Sequence, residues 1–119
     1  MLPVDARLTS SSDFARATKS GLRVTSEHFV GYLYISPVTN NALAKCGLII
    51  NKTIGGSVQR HRLARKIRHA VAPHITTLPT GSLFVVRALK QNDDKNVQSE
   101  ISQLIEKLVT RAQKIEART

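Results

Sequence analysis

Cysteine, tryptophan and long apolar runs are scarce or absent in this sequence. The single cysteine, Cys46, excludes an intramolecular disulfide and a cysteine-based metal site. Because Cys46 lies at the start of an apolar run, we predict a packed core thiol. No apolar run approaches the roughly 18–20 residues that a membrane span needs. Residues 1–5 also lack the basic-then-apolar order of a secretory signal, so we expect a cytoplasmic protein that does not bind membranes.

Acidic residues are few, and none lies in the middle of the chain. Residues 28–92 carry no carboxylate side chain but contain nine of the 18 lysines and arginines, and the net charge is +10. Positive charges without internal partners repel each other unless an external anion neutralises them. A merely solubilising surface mixes both signs. The charge distribution therefore favours a polyanionic partner, with nucleic acid as the first candidate.

Linkers, repeats and low-complexity segments are also absent. A length of 119 residues suits one domain, and a hydrophobic content of 41% argues against disorder. We therefore predict one globular domain over residues 1–119, with flexible ends at 1–7 and 116–119.

Local patterns predict a helix followed by three strands in the first half. Serines 10–12 and Gly21 bracket the helix, and a short extended piece follows at 22–25. Residues 28–35 alternate between an aliphatic face and a face rich in rings, which contains Tyr32 and Tyr34. Residues 44–51 are apolar on both faces, so we predict a central strand that pairs with 28–35 as a hairpin.

A helix, a strand and a second helix are predicted in the other half. Residues 55–57 open a helix that ends near Ala72, because Pro73 disfavours helical geometry before it. Residues 81–89 form the fourth strand, and Asn96 caps a long final helix. The order αβββαβα predicts an α+β fold, a two-layer sandwich with all helices on one side of a four-stranded sheet.

The middle helix combines an apolar stripe with a basic face. At about 100° per residue, the apolar residues fall on one third of its circumference: Leu63, Ala64, Ile67, Ala70 and Val71. From residue 61 to residue 71, the other positions are basic or histidine: His61, Arg62, Arg65, Lys66, Arg68 and His69. The arginine fork binds phosphate through two donors. A basic amphipathic helix also suits an anionic membrane, but here the core requires the apolar stripe.

Groups suited to catalysis are missing. No carboxylate cluster is visible, and the adjacent Asp93 and Asp94 fit a helix cap better than a metal site. His61 and His69 lie two turns apart, roughly 12 Å along a helix axis, too far to act as a paired acid and base. No Gly-Lys-Ser/Thr follows Gly56 as a phosphate loop requires. We predict neither catalytic residues nor metal ligands in this chain.

The stretch 51–68 resembles the signature of the bacterial ribonuclease P protein subunit. The positions that match in register are Lys52, Gly55, Val58, Arg60, Arg62, Arg65 and Arg68. Thr53, His61 and Ala64 replace a lysine, an asparagine and a lysine that are usual in the family. The resemblance extends over most of residues 8–110.

This resemblance implies a single RNA-binding domain with a left-handed strand-helix-strand crossover around the basic helix. It implies two RNA partners, the catalytic RNA subunit and precursor tRNA, and no obligate protein partner. The residues expected to bind RNA are Lys52, Arg60, His61, Arg62, Arg65, Lys66 and Arg68. Phe14 and Tyr32 match aromatic cleft positions for the 5′ leader of precursor tRNA. Thr18 lies in the same cleft at a position where another aromatic is common, and Tyr34 joins the site on the ring-rich face. The implied reaction is hydrolysis that depends on Mg²⁺ held mainly by the RNA.

Two other functions remain open from sequence. One is a ribosomal-type RNA-binding or RNA-chaperone protein without precursor-tRNA specificity. The other is a stand-alone ribonuclease that uses His61 or His69. Only the second would cleave RNA as a purified protein.

Overall fold

The computed structural model describes residues 7–8, 10–35, 44–79, 81–89 and 97–118. The helices of this part of the chain are α1 (Ser11–Ser20), α2 (Ser57–Val71) and α3 (Val97–Arg118), and its strands are β1 (Leu22–Thr25), β2 (Phe29–Tyr34), β3 (Lys45–Ile49) and β4 (Leu83–Ala88). The predicted α+β class, with three helices and a four-stranded sheet, is confirmed, and the described helices and strands follow one another as αβββαβα. The predicted cap Asn96, the acidic pair Asp93 and Asp94, residues 1–6 and residue 119 lie outside the described residues.

The four strands form one mixed sheet in the order β1-β2-β4-β3. β2 is antiparallel to both β1 and β4, whereas β3 is parallel to β4. The predicted hairpin between β2 and β3 is therefore wrong, and β3 is an edge strand rather than a central one. Parallel neighbours need a crossover connection, and α2 provides it between β3 and β4. The handedness of this crossover stays a prediction.

The outer edge of β3 is covered by the chain near its N-terminus. Arg7 forms a parallel bridge with Cys46, and the Leu8 N–H donates to the Cys46 carbonyl at 2.9 Å. This cover explains how an apolar strand can lie at a sheet edge. Cys46 is buried. Burial raises the pKa of its thiol to about 12, although Arg68 acts in the opposite direction, and the predicted core thiol is confirmed.

Helices cover both faces of the sheet. Alternation along the strands sends one set of side chains toward α2 and α3, namely Phe29, Leu33, Phe84 and Val86. The opposite set packs with Ala17 of α1, namely Val30, Tyr32, Leu83 and Val85. The prediction that all helices lie on one side is therefore wrong. The ring-rich face is apolar enough to need a cover of its own, and α1 provides it.

Gly47 allows α1 to lie close to the sheet. A Cβ placed on Gly47 would lie 2.5 Å from the Phe14 ring and 3.0 Å from Leu8 Cδ2. A second close approach lies at the C-terminal end of α1, where a Cβ on Gly21 would lie 2.4 Å from the Ala17 carbonyl oxygen. Both glycines are needed because they lack a side chain rather than because of positive φ.

The start of α3 holds the turn between β1 and β2. The Glu100 carboxylate accepts hydrogen bonds from the Ser26 hydroxyl and, at 2.8 Å each, from the His28 backbone N–H and Nδ1. Burial raises the pKa of Glu100, but these hydrogen bonds outweigh it and hold the pKa below its ordinary value of 4.5. The ionised carboxylate therefore stabilises the fold.

Glu100→Gln is expected to lower the free energy of unfolding by about 1–2 kcal/mol near neutral pH, because charge-assisted hydrogen bonds are replaced by neutral ones. The contribution of Glu100 is complete above the unfolded pKa of 4.5 and is lost as pH falls through the lower folded pKa. Urea unfolding at a series of pH values from neutral to acidic should show that the difference in free energy of unfolding between wild type and variant becomes smaller. We call this difference the gap. Glu106→Gln, at an exposed position of α3, is the control, and a gap that persists in acid would contradict this role.

Candidate nucleic-acid interface

α2 is fixed to the core by the apolar stripe that the sequence predicts. Leu63, Ala64, Ile67, Ala70 and Val71 are all buried. The helix ends at Val71 and continues as a short 3-10 turn at Ala72–His74, close to the predicted end. Its outward positions are therefore fixed by packing rather than by contacts among the basic residues themselves.

The basic residues of α2 differ in their exposure. His61, Arg62, Arg65 and His69 are exposed, whereas Arg60, Lys66 and Arg68 are half-buried. Among the described residues, no arginine of α2 pairs with a carboxylate. Since like charges on one helix repel, this surface is available to an external anion.

A groove of about 610 Å³ runs between α2 and the start of α3. We call it the α2/α3 groove. Its described lining residues are Arg62, Arg65, Lys66, His69, Ala70, Val97 and Gln98. None of them is acidic, and the positive end of the α3 dipole lies at the same place. The groove thus suits phosphate groups.

A second groove, of about 250 Å³, lies between α2 and the end of β3. We call it the α2/β3 groove. Its described lining residues are Leu48, Ile50, Ser57, Arg60, His61, Ala64 and Arg68. The basic residues of α2 are therefore divided between two flanks of the helix, a division that the sequence pattern alone did not reveal.

The loop before α2 carries Lys52 at an exposed position in a 3-10 turn, Lys52–Ile54. Gly55 follows with a φ of 152°, and a Cβ there would lie 2.1 Å from Gln59 Oε1. The same oxygen accepts a hydrogen bond from the Gly56 N–H at 2.8 Å. Gln59, which the sequence reasoning missed, therefore accepts a hydrogen bond from a backbone amide at the start of α2.

The histidines lie in separate surroundings. His61 lines the α2/β3 groove, whereas His69 lines the α2/α3 groove. His28 contacts Glu100, and His74 Nε2 lies 3.2 Å from Ser102 Oγ. The structure thus does not bring His61 and His69 together as an acid and base pair.

The predicted leader residues gather between α1 and the sheet. Tyr32 is buried, at 6% exposure, while Phe14 and Tyr34 are half-buried and pack against the same cluster. The Thr18 hydroxyl donates to the Phe14 carbonyl at 3.0 Å. The ring surface left at this site therefore belongs mainly to Phe14 and Tyr34.

Neither a metal-ligand group nor a membrane span is found where the chain is described. No three histidine, cysteine, aspartate or glutamate side chains come together there as metal ligands would. No helix of this part is both long and apolar enough to cross a bilayer.

Comparisons with a family model and with curated relatives point to the same protein family. A family model described as Ribonuclease P matches residues 2–113. A ribonuclease P protein component from Mycolicibacterium gilvum is 33% identical over 119 residues, which cover 100% of this chain and 93% of the relative. One from Acidothermus cellulolyticus is 38% identical over 89 residues, or 75% of this chain and 73% of the relative.

Solved structures share the fold. The ribonuclease P protein from Staphylococcus aureus superposes with a TM-score of 0.68 at 23% identity, over 90% of this chain and 94% of that chain. The protein from Thermotoga maritima gives a TM-score of 0.71 at 21% identity, over 85% and 96% respectively. At these identities the likeness concerns the fold alone.

Proposed function

Because this chain belongs to the ribonuclease P protein family, we propose that it is the protein subunit of ribonuclease P. In that role it binds the catalytic RNA subunit and the 5′ leader of precursor tRNA, and it supports endonucleolytic removal of the leader. The single observation that carries the proposal is the basic surface of α2, whose arginines pair with no carboxylate among the described residues.

We assign contacts with the RNA backbone to both flanks of α2 and to the loop before it. These residues are Lys52, Arg60, His61, Arg62, Arg65, Lys66 and Arg68. Arginine forks suit phosphate oxygens, and none of these side chains belongs to the apolar stripe, so binding leaves the stripe undisturbed. Each phosphate neutralised releases counterions, which makes the binding dependent on salt.

We assign leader binding to the site between α1 and the sheet. Phe14 and Tyr34 offer ring surface on which unstacked bases stack. Tyr32 packs in the same buried cluster as these two rings, and the Thr18 hydroxyl donates to the Phe14 carbonyl within α1. Contacts with the leader exist in the precursor but not in the mature product, so they favour binding of the substrate over the product.

We place the chemistry and its Mg²⁺ ions in the RNA subunit. A surface with a net charge of +10 attracts phosphate and repels a divalent cation. The contribution of this chain is to screen repulsion between two RNAs, and thereby to lower the Mg²⁺ concentration that their association requires. No residue of this chain is assigned a catalytic role.

We place the protein in the cytoplasm, as one RNA-binding domain over residues 1–119, without an obligate protein partner. These follow from the length, the charge and the lack of long apolar runs in the sequence.

Cleavage of an end-labelled precursor tRNA at low Mg²⁺ tests the proposed function. The RNA subunit alone, this protein alone and the two together are compared. We expect cleavage at the mature 5′ end only in the mixture. Cleavage by the protein alone would instead support the histidine ribonuclease. Tight RNA binding with no gain in cleavage would support a ribosomal-type or chaperone protein.

A further inference from the structure

The two grooves beside α2 differ in size and in the side chains that line them. In the α2/α3 groove, charged or polar side chains provide five of the seven described lining residues. In the α2/β3 groove, three of the seven are the apolar side chains of Leu48, Ile50 and Ala64. Phosphates make no use of these apolar side chains, so the second groove also suits a partly apolar ligand.

The apolar part of the α2/β3 groove comes from the end of β3 and the facing side of α2. Leu48 and Ile50 pack against the core but remain half-buried, and Ala64 is 9% exposed. Because alanine is small, it leaves open space between the strand and the helix. These residues together provide a floor for a flat, weakly polar group.

The polar part of this groove comes from α2. Ser57, Arg60, His61 and Arg68 provide hydroxyl, guanidinium and imidazole groups around the floor. The Nε of Arg60 is buried and has no hydrogen-bond partner among the described residues. A buried donor without an acceptor is unfavourable, and an oxygen of a bound ligand would remove that penalty.

The size of the groove limits its ligand. A volume of about 250 Å³ lies just below the roughly 300–1,000 Å³ typical of small-molecule pockets. It is too small for an RNA helix but matches a single nucleotide. Unstacked bases are bound by apolar surface and by arginine planes, with donors at their edges.

From these features we propose that the α2/β3 groove binds one unstacked base of single-stranded RNA. The α2/α3 groove, in contrast, binds phosphates without regard to the base. This inference rests on the proposed function only in taking RNA as the partner. It adds a second base-binding site to the one assigned to Phe14 and Tyr34, on a different element of the fold.

The test uses an eight-nucleotide uridine RNA in which each nucleotide in turn is replaced by an abasic one, which keeps the phosphate charge. Binding is measured by fluorescence anisotropy. We expect abasic replacement at one position to weaken binding to wild-type protein at least fivefold through the α2/β3 groove. In the Ala64→Leu variant the larger side chain fills this groove, so abasic replacement at that RNA position should no longer weaken binding.

Two controls separate this effect from others. Val58→Leu enlarges a side chain of α2 that is 72% exposed and lines neither groove, so it should behave like wild type. Arg62→Gln in the α2/α3 groove should weaken binding of every RNA equally and keep the position-specific sensitivity. An identical abasic profile in wild type and Ala64→Leu would overturn the proposal.

If Ala64→Leu does not fold, a crosslinking measurement on wild-type protein tests base binding in the α2/β3 groove. With 4-thiouridine at each position in turn, we expect one position to crosslink within residues 48–50 or 57–68. Crosslinks confined to α1 and β2 would overturn the proposal. Both measurements use RNA and this protein without the RNA subunit, so a failure of precursor cleavage would refute the proposed function without affecting this test.

Discussion

Replacing both Arg62 and Arg65 by alanine is expected to weaken binding of the RNA subunit about a hundredfold at moderate salt. Each loses a charge-assisted hydrogen bond to phosphate, at roughly 1.5 kcal/mol apiece. If each contacts one phosphate, the slope of log affinity against log salt should fall by about 1.4–1.8. Each single variant should lower the slope by about half as much. Filter binding at several salt concentrations measures both quantities.

The matched control is the double variant Lys107→Ala and Lys114→Ala. It removes the same two charges, but from exposed positions of α3 that line neither groove. Its slope should stay close to that of wild type, because net charge alone acts only through screened, long-range forces. An unchanged slope in the α2 variant would remove the α2/α3 groove from the RNA interface.

Gly47→Val is expected to have the second large effect, a loss of about 1–3 kcal/mol of stability from overpacking. The new side chain would occupy the space of the Phe14 ring, which lies 2.5 Å from the position of a Cβ. The ring must move, and with it the cover of the sheet and the stacking surface assigned to the leader. Preference for precursor over mature tRNA should therefore fall together with stability.

A double-mutant cycle tests whether Phe14 is the residue with which the new side chain at position 47 clashes. In a Phe14→Ala background, which already lacks the ring, Gly47→Val should be less damaging than in wild type. Denaturant unfolding of the four proteins gives the coupling free energy. Additive losses would mean that Phe14 does not pack on Gly47.

Local periodicity correctly predicted the elements of this fold and the two faces of its helices and strands. The alternation of β2 separated Phe29 and Leu33 from Val30 and Tyr32, and these pairs do lie in different clusters. The stripe of α2 was predicted in the same way. Both predictions succeed because burial of one face imposes a fixed spacing along the chain.

Contacts between elements that are distant in the sequence could not be predicted from local periodicity. The same apolar pattern in β3 suits a central strand or a covered edge strand, and only the placement of Arg7 and Leu8 distinguishes them. The grooves beside α2 also depend on partners from β3 and α3, which no local pattern contains. Gln59 and Glu100 were missed for the same reason, since polar residues at helix starts have many possible acceptors and donors.

The magnesium dependence of precursor cleavage tests the central claim most directly. Cleavage by the RNA subunit is measured across Mg²⁺ concentrations without protein, with wild type, with the Arg62/Arg65 double variant and with the Lys107/Lys114 control. We expect wild type and the control to lower the Mg²⁺ concentration for half-maximal cleavage several-fold, and the α2 variant to lower it much less. Equal midpoints with and without wild-type protein would contradict the account.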